Sequence, residues 1–245
     1  MNKGIYKIIE NKCIAPMVYK MVLSGDVSHI TAPGQFINIA LEGFYLRRPI
    51  SVHDVDREAG TVTVIYKVVG RGTEAMMNMT EGELDVRTGL GNGFDTSLSG
   101  DHAVVIGGGV GVPPMFLLAK ELIAEGKKVT AILGFNKKEE IFCEDDFKAI
   151  GADVIVATAD GSYGVKGFVT NALETVEAPT FYYACGPEPM LKALYNASEL
   201  DGQLSFEERM GCGFGACMGC SCKTKYGNKR ICKEGPVLRK GEIIW

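Results

Sequence analysis

The chain has 245 residues, 46% hydrophobic and 23% charged, with a formal net charge of −4. That balance excludes a disordered or fibrous chain. The weakly negative charge also argues against a surface built for nucleic acid or for an anionic membrane.

In chain order, residues 1–98 read as a run of short strands. Residues 19–23 and 35–40 alternate loosely, and 61–69 are β-branched almost throughout. Glycine and proline punctuate these runs at intervals suited to a sandwich or small barrel. The N-terminus has no apolar run and no small-residue cleavage site, so no signal peptide is expected. From residue 101 the pattern becomes strand, glycine-rich turn, helix, strand. Strands are expected at 102–106, 128–133, 153–157 and 180–184, with a helix over 113–125 that has proline in its first turn and Gly126 after its end. Alternation of this kind implies a parallel sheet with helices on both faces. The most apolar stretch, 103–119, is broken by four glycines and two prolines. A membrane-spanning helix needs about 18 unbroken apolar residues, so a cytoplasmic protein is expected. After residue 204 the sequence is rich in glycine and cysteine without periodicity, and so short a segment needs a metal or a neighbouring surface to hold it.

Five of the eight cysteines crowd into residues 212–232. With no export signal, the cluster reads as metal-binding rather than disulfide-forming. The spacing Cys212-x4-Cys217-x2-Cys220-x11-Cys232 opens with the plant-type [2Fe–2S] pattern, in which a distant fourth thiolate closes the site. Glycines at 211, 213, 215 and 219 let the backbone curl and aim N–H groups at cluster sulfurs. A four-thiolate zinc site is the rival, but zinc sites usually pair two C-x2-C knuckles and only one is present. Cys222, two residues past Cys220, would point away from the same metal and reads as a non-ligand.

Gly107, Gly108, Gly109 and Gly111 follow the strand at 102–106 and open a helix, where a pyrophosphate can meet the helix N-terminus. The dinucleotide fingerprint would place a third glycine at position 114, which is Pro114. Cys185, Gly186 and Pro187 follow the strand at 180–184, again at the carboxyl end where ligands bind such sheets.

Arg47-Arg48-Pro49-Ile50-Ser51 in the first region, Gly-Gly-Gly-Val-Gly-Val-Pro-Pro in the second and Cys-Gly-Pro-Glu-Pro-Met after it together resemble the ferredoxin–NADP reductase superfamily. The run Glu208-Arg209-Met210-Gly211-Cys212-Gly213-Phe214-Gly215-Ala216-Cys217-Met218-Gly219-Cys220 narrows this. The whole chain is similar to the electron-transfer subunits of dihydroorotate dehydrogenase B. The resemblance implies a multidomain β plus α/β fold: a small antiparallel FAD-binding β-barrel (1–98), a parallel-sheet NAD-binding domain (99–204) and a small [2Fe–2S] domain (205–245). Arg48 would pair with the FAD pyrophosphate. Pro49 and Ile50 would shape that strand, and Ser51 would approach the flavin ring. Ile65, Tyr66 and Lys67 would line its isoalloxazine or ribityl side, and Gly72 and Thr73 would bind its phosphates. The two glycine loops would flank NAD(H), and Cys212, Cys217, Cys220 and Cys232 would hold the cluster.

No acid–base constellation is evident among His29, His53 and His102, which lie far apart in sequence. A redox carrier needs none, because its cofactors carry the chemistry. The implied role is to pass electrons between NAD+ and an FMN-containing dihydroorotate dehydrogenase catalytic subunit, in a heterotetramer of two of each, in pyrimidine biosynthesis. The alternatives are a flavin and iron–sulfur subunit of a sulfhydrogenase or of an NADH-dependent ferredoxin:NADP oxidoreductase, a zinc-stapled binding module, and a self-sufficient diaphorase.

Overall fold

A computed structural model describes residues 1–245. Six antiparallel strands close into a barrel: β1 (Asn2–Ala15), β2 (Val18–Ser24), β3 (Phe36–Ile39), β4 (Arg48–Asp56), β5 (Thr61–Lys67) and β6 (Glu83–Leu90), in spatial order β1-β2-β5-β4-β3-β6. The short helix α1 (Arg71–Met77) links β5 to β6. Alternation explains the barrel. Along β6 every second residue is buried, and along β5 Val62, Val64 and Tyr66 point into the barrel core while Ile65 packs into a different apolar cluster outside it.

The parallel sheet contains β7 (His102–Gly108), β8 (Lys128–Phe135), β9 (Asp153–Thr158), β10 (Val165–Lys166), β11 (Phe181–Cys185) and β12 (Gly202–Ser205). Helices α2 (Pro113–Ala124), α3 (Glu144–Ala149), α4 (Val169–Leu173) and α5 (Glu188–Ala197) connect them. Every residue of β7 is buried, as expected for a strand covered on both faces. One face of the sheet shares its core with α2 and with Ile65 of the barrel. The other shares its core with α4, α5 and the cysteine-rich segment.

That segment holds a hairpin, β13 (Ser221–Thr224) and β14 (Gly227–Arg230), and then β15 (Val237–Arg239). β15 pairs antiparallel with β12 and becomes the seventh strand of the nucleotide sheet. Asn92, just past β6, ties the same stretch to the barrel: its N–H donates to Gly235 O at 2.7 Å, and its side chain bonds Val237 O at 2.8 Å and Val237 N at 3.1 Å. Neither contact has a local sequence pattern. No helix is long and apolar enough to cross a membrane.

Candidate functional site

The barrel presents two outer faces to the rest of the chain. On β4, His53 stacks on Phe116 of α2 with centroids 4.6 Å apart, and Asp54 pairs with Lys120 of α2 at 2.9 Å. This face carries the nucleotide domain. On β3 and β6, Phe36 and Leu90 join one apolar cluster with Cys220 and Cys232. This face carries the cysteine segment.

Arg48 opens β4 without a carboxylate partner among the ion pairs. Its Nη1 donates to Leu46 O at 2.7 Å and Arg47 O at 3.3 Å, and its guanidinium lies 5.0 Å from the Phe44 ring centroid. The rest of the fork packs on Gly72 in the first turn of α1, where any Cβ would strike the guanidinium. Arg48 and Gly72 are therefore one feature. The Thr73 hydroxyl is already committed: it accepts from Val69 N at 3.0 Å and donates to Gly70 O at 3.0 Å, which caps α1. Only the backbone of that turn is left to meet a phosphate. Pro49 and Ser51 lie opposite Asn38 and Phe36 of β3, while Ile50 packs on the barrel core.

The side chains of Ile65, Tyr66 and Lys67 do not share one surface. Ile65 faces the nucleotide domain, and Lys67 is exposed. Tyr66 points into the barrel, stacks on Tyr19 at 5.9 Å and donates to Asn11 Oδ1 at 3.1 Å. Burial pushes its hydroxyl pKa up to about 12, the Asn11 bond offsetting little of that. The strand period of two puts Tyr66 on the opposite side from Ile65 and Lys67, so a flavin edge along β5 would meet the Tyr66 backbone and not its ring.

The two glycine loops do meet. Gly111 packs on the Cys185 carbonyl and Gly108 on Met190 Sδ, and a Cβ on Gly186 would come within 2.5 Å of Met190 Cε. β7 and β11 are parallel neighbours, with Gly107 opposite Cys185, so both loops rise from adjacent carboxyl ends. Burial, only partly opposed by a bond to Ser205, raises the Cys185 thiol to about 12, and it behaves as a packed apolar group. The helix start differs from expectation. Pro113 and Pro114 have no N–H, Val112 N donates to Gly109 O at 3.1 Å, and Met115 N donates to Val112 O at 3.1 Å. With these amides absent or engaged, an anion here would be met by the glycine turn more than by the first turn of α2.

The four motif cysteines come together as two pairs. Cys212 Sγ accepts from Ala216 N at 3.2 Å, Cys217 N at 3.4 Å and Phe214 N at 3.5 Å, and Cys212 N donates to Cys217 Sγ at 3.4 Å. Cys232 N donates to Cys220 Sγ at 3.4 Å. Burial pushes the Cys212 thiol up, but the amides of Phe214, Cys217 and Ala216 and the Cys217 side chain outweigh it and bring it down to about 6. Cys232 goes the other way, to about 12, through burial and then Cys220 and Cys212. Cys220 and Cys232 are each 2% exposed and face the barrel, whereas Cys217 is exposed.

The donor set fits a two-iron cluster. A tetrahedral zinc with bonds of about 2.3 Å would hold all four sulfurs about 3.8 Å apart. Ligand atoms of three residues within 4.8 Å of one another occur at His53, Cys143 and Asp146, and not among these cysteines. Two thiolate pairs, each on its own iron, match that separation. Cys222 stands on β13 opposite Lys229, its thiol raised by burial and then by Glu208 and Glu188 rather than by the other thiols. It packs against the same apolar cluster as Cys220 and Cys232.

Comparison with known proteins agrees with this geometry. Residues 207–244 match the model of the iron–sulfur cluster binding domain of dihydroorotate dehydrogenase B, and residues 105–195 match the oxidoreductase NAD-binding domain. A dihydroorotate dehydrogenase B (NAD(+)) electron transfer subunit from Fusobacterium nucleatum is 46% identical over 96% of this chain and 95% of its own length. The chain belongs to the family of dihydroorotate dehydrogenase B electron-transfer subunits. Another member, from Lysinibacillus sphaericus, is 42% identical over 97% of this chain and 96% of its own. An NADH-dependent reduced ferredoxin–NADP oxidoreductase superposes with a TM-score of 0.89 at 30% identity, covering 99% of this chain and 90% of that one. A ferredoxin NADP+ reductase from Neisseria gonorrhoeae, at 19% identity and a TM-score of 0.69 over 80% of this chain and 90% of its own, shares the fold.

Asn38 has no signature within the family motif and was not singled out by the sequence. It is 1% exposed, its Oδ1 has no partner, and its amide nitrogen lies against Gly213 of the cysteine loop. Pro49 is its register partner. The flavin-motif strand and the cysteine loop are therefore both neighbours of β3, and adjacent strands lie only about 4.8 Å apart.

Proposed function

We propose that this chain passes electrons between NAD(H) and an FMN-containing catalytic subunit that oxidises dihydroorotate, in a heterotetramer of two of each, in the cytoplasm and in pyrimidine biosynthesis. The observation that carries the reading is β3. Phe36 and Asn38 touch the cysteine segment, and their register partners Ser51 and Pro49 belong to the flavin-motif strand.

When bound, FAD and a [2Fe–2S] cluster supply the conversion between a two-electron hydride and single electrons. The chain's own residues bind and position. Arg48, held by two carbonyls and Phe44 and lacking a carboxylate, offers its charge to the FAD pyrophosphate beside Gly72 and Thr73. Pro49, Ile50 and Ser51 set the edge of β4, and Ile65, the Tyr66 backbone and Lys67 form the adjoining edge of β5. Gly107, Gly108, Gly109 and Gly111 receive the dinucleotide with Cys185, Gly186 and Pro187. NAD is preferred over NADP by similarity to the NAD(+) electron transfer subunits; Lys137 and Lys138 after β8 could meet a 2′-phosphate, though no arginine is placed to fork one. Cys212, Cys217, Cys220 and Cys232 are the cluster ligands, with the amides of Phe214, Ala216 and Cys217 steadying the exposed pair. Exposed Phe214 and Met218 on that loop form an edge toward the partner.

Anaerobic visible spectroscopy of the purified chain tests this. Flavin and iron–sulfur absorption bleached by NADH is the expected result, and a colourless protein binding zinc would overturn it. The 30% identity to a ferredoxin–NADP oxidoreductase favours that activity as a second reading. Co-purification with an FMN protein supports the first, and turnover with ferredoxin the second.

A further inference from the structure

We propose that His53, Cys143 and Asp146 form a site for a thiophilic divalent cation, zinc by ligand chemistry, which bridges the barrel to the nucleotide domain. One ligand atom from each lies within 4.8 Å of the other two. None of the three belongs to the flavin, dinucleotide or cluster motifs. They come from elements distant in sequence: His53 from β4, and Cys143 and Asp146 from the start of α3.

His53 is the observation that distinguishes this group from an ordinary acidic helix start. It is 3% exposed, sandwiched on Phe116, with Nδ1 at 3.0 Å from Pro113 O. A carbonyl only accepts, so Nδ1 carries the proton. Burial lowers the His53 pKa against the smaller opposing pull of Pro113 and Asp54, which favours the neutral ring. Nε2 then holds a lone pair with no hydrogen-bond partner in the structure. Metal-ligating histidines are fixed in this way, one ring nitrogen donating to a carbonyl and the other free to coordinate.

Cys143 sits at the N-cap of α3 in the left-handed region, φ 64°, with a side chain that makes no capping bond. Asp146, three residues on, falls on the same side of the turn. Sulfur, imidazole nitrogen and carboxylate oxygen are the donors zinc takes, and three protein ligands leave its fourth position for water. A shallow cavity of about 330 Å³, lined in part by Cys143, Glu144, Asp145 and Asp146, opens there. The charged groups around the site are Lys20 of β2, which faces both His53 and Cys143, and Asp54, which faces His53. Glu144 and Asp145 add negative charge on α3. Asp54 pairs with Lys120 at 2.9 Å and Glu144 with Lys148 at 2.6 Å, so with Asp146 four carboxylates face three ammonium groups. Binding breaks the Cys143 S–H bond, forms the metal–sulfur bond and releases one proton to solvent. Occupancy would tie β4, two residues from Ser51, to α3, and so hold the two domains at one angle.

The test uses the protein loaded with its flavin and cluster. After equilibration with zinc and removal of the free ion, metal is counted by mass spectrometry against iron and flavin. Wild type should retain one zinc per chain beyond its iron. Asp146→Asn and Cys143→Ala should each weaken zinc binding by more than about tenfold with iron and flavin unchanged. Cys222→Ala, which removes a thiol outside the His53–Cys143–Asp146 group, should retain the zinc. Zinc should also raise the unfolding temperature of wild type and not that of Asp146→Asn. Asp146 is exposed, so this variant decides the matter if Cys143→Ala fails to fold. The proposal is overturned if wild type retains no more zinc than Asp146→Asn, or if Cys222→Ala abolishes retention.

Discussion

The turn at 107–111 and the loop at 211–219 are both rich in glycine, and the structure requires it for different reasons. In the turn, space decides. Gly107 would put a Cβ 2.5 Å from Val112 Cα, Gly108 is closed by Met190, and Gly111 is closed by the Cys185 carbonyl. In the loop, backbone direction decides more often. Gly213 and Gly215 have φ of 75° and 92°, and the amides around them turn toward Cys212 Sγ. A nucleotide turn must let two loops close on each other, whereas a cluster loop must wrap donors around a centre.

The comparison is broken most severely at the ligands. Cys232→Ser should reduce cluster iron to background while flavin is retained, whereas Cys222→Ser should leave iron unchanged; iron and flavin assays of the purified variants check both. Gly111→Ala comes next. Its Cβ meets rigid backbone, so it should cost about 1–3 kcal/mol in urea denaturation and raise the KM for NADH. Gly109→Ala adds a Cβ to open space, and its φ of 53° should limit the loss to about 1–2 kcal/mol. Equal losses for the two would mean that packing does not govern the turn.

Smaller effects sharpen the loop side. Gly213→Ala strikes the Asn38 side chain, which Asn38→Ala removes. The double-mutant cycle should show a coupling of about 0.5–3 kcal/mol in the relieving direction, leaving only the left-handed backbone cost. The least expected change is in thiol reactivity of the cluster-free chain. Cys212 titrates near 6, below the ordinary 9.0, so its thiolate dominates from pH 7 upward and is lost as pH falls through 6. Cys222 is shifted above 9.0. Alkylation followed by mass spectrometry at pH 7 should label Cys212 first, and the difference should disappear below about pH 5.

What was legible in the sequence is what is written locally. The C-x4-C-x2-C spacing, the glycine turn after β7 and the alternating strands of β5 and β6 all follow from period, spacing or turn chemistry. Long-range geometry was not legible. Nothing near Val237 announces that it will pair with Ser205, nothing near Asn92 announces a clamp 145 residues on, and a lone Asn38 carries no pattern. Tyr66 shows the limit within one strand. Its motif neighbours suggest a shared surface, but the pleat sends its ring into the barrel. At Pro113 and Pro114 the motif was visible while its effect on amide supply depended on the turn geometry around Val112.

β12 and β15 lie side by side in one sheet, and residues 206–236 leave and return between them. Such an excursion is anchored at both ends, a few ångströms apart, and pinned a third time by Asn92. It has no hinge on which to swing as a tethered head would. A cluster held there works at a fixed distance from the barrel, so traffic between the two sides depends on electrons crossing a static gap and on how closely a visitor can approach the exposed rim.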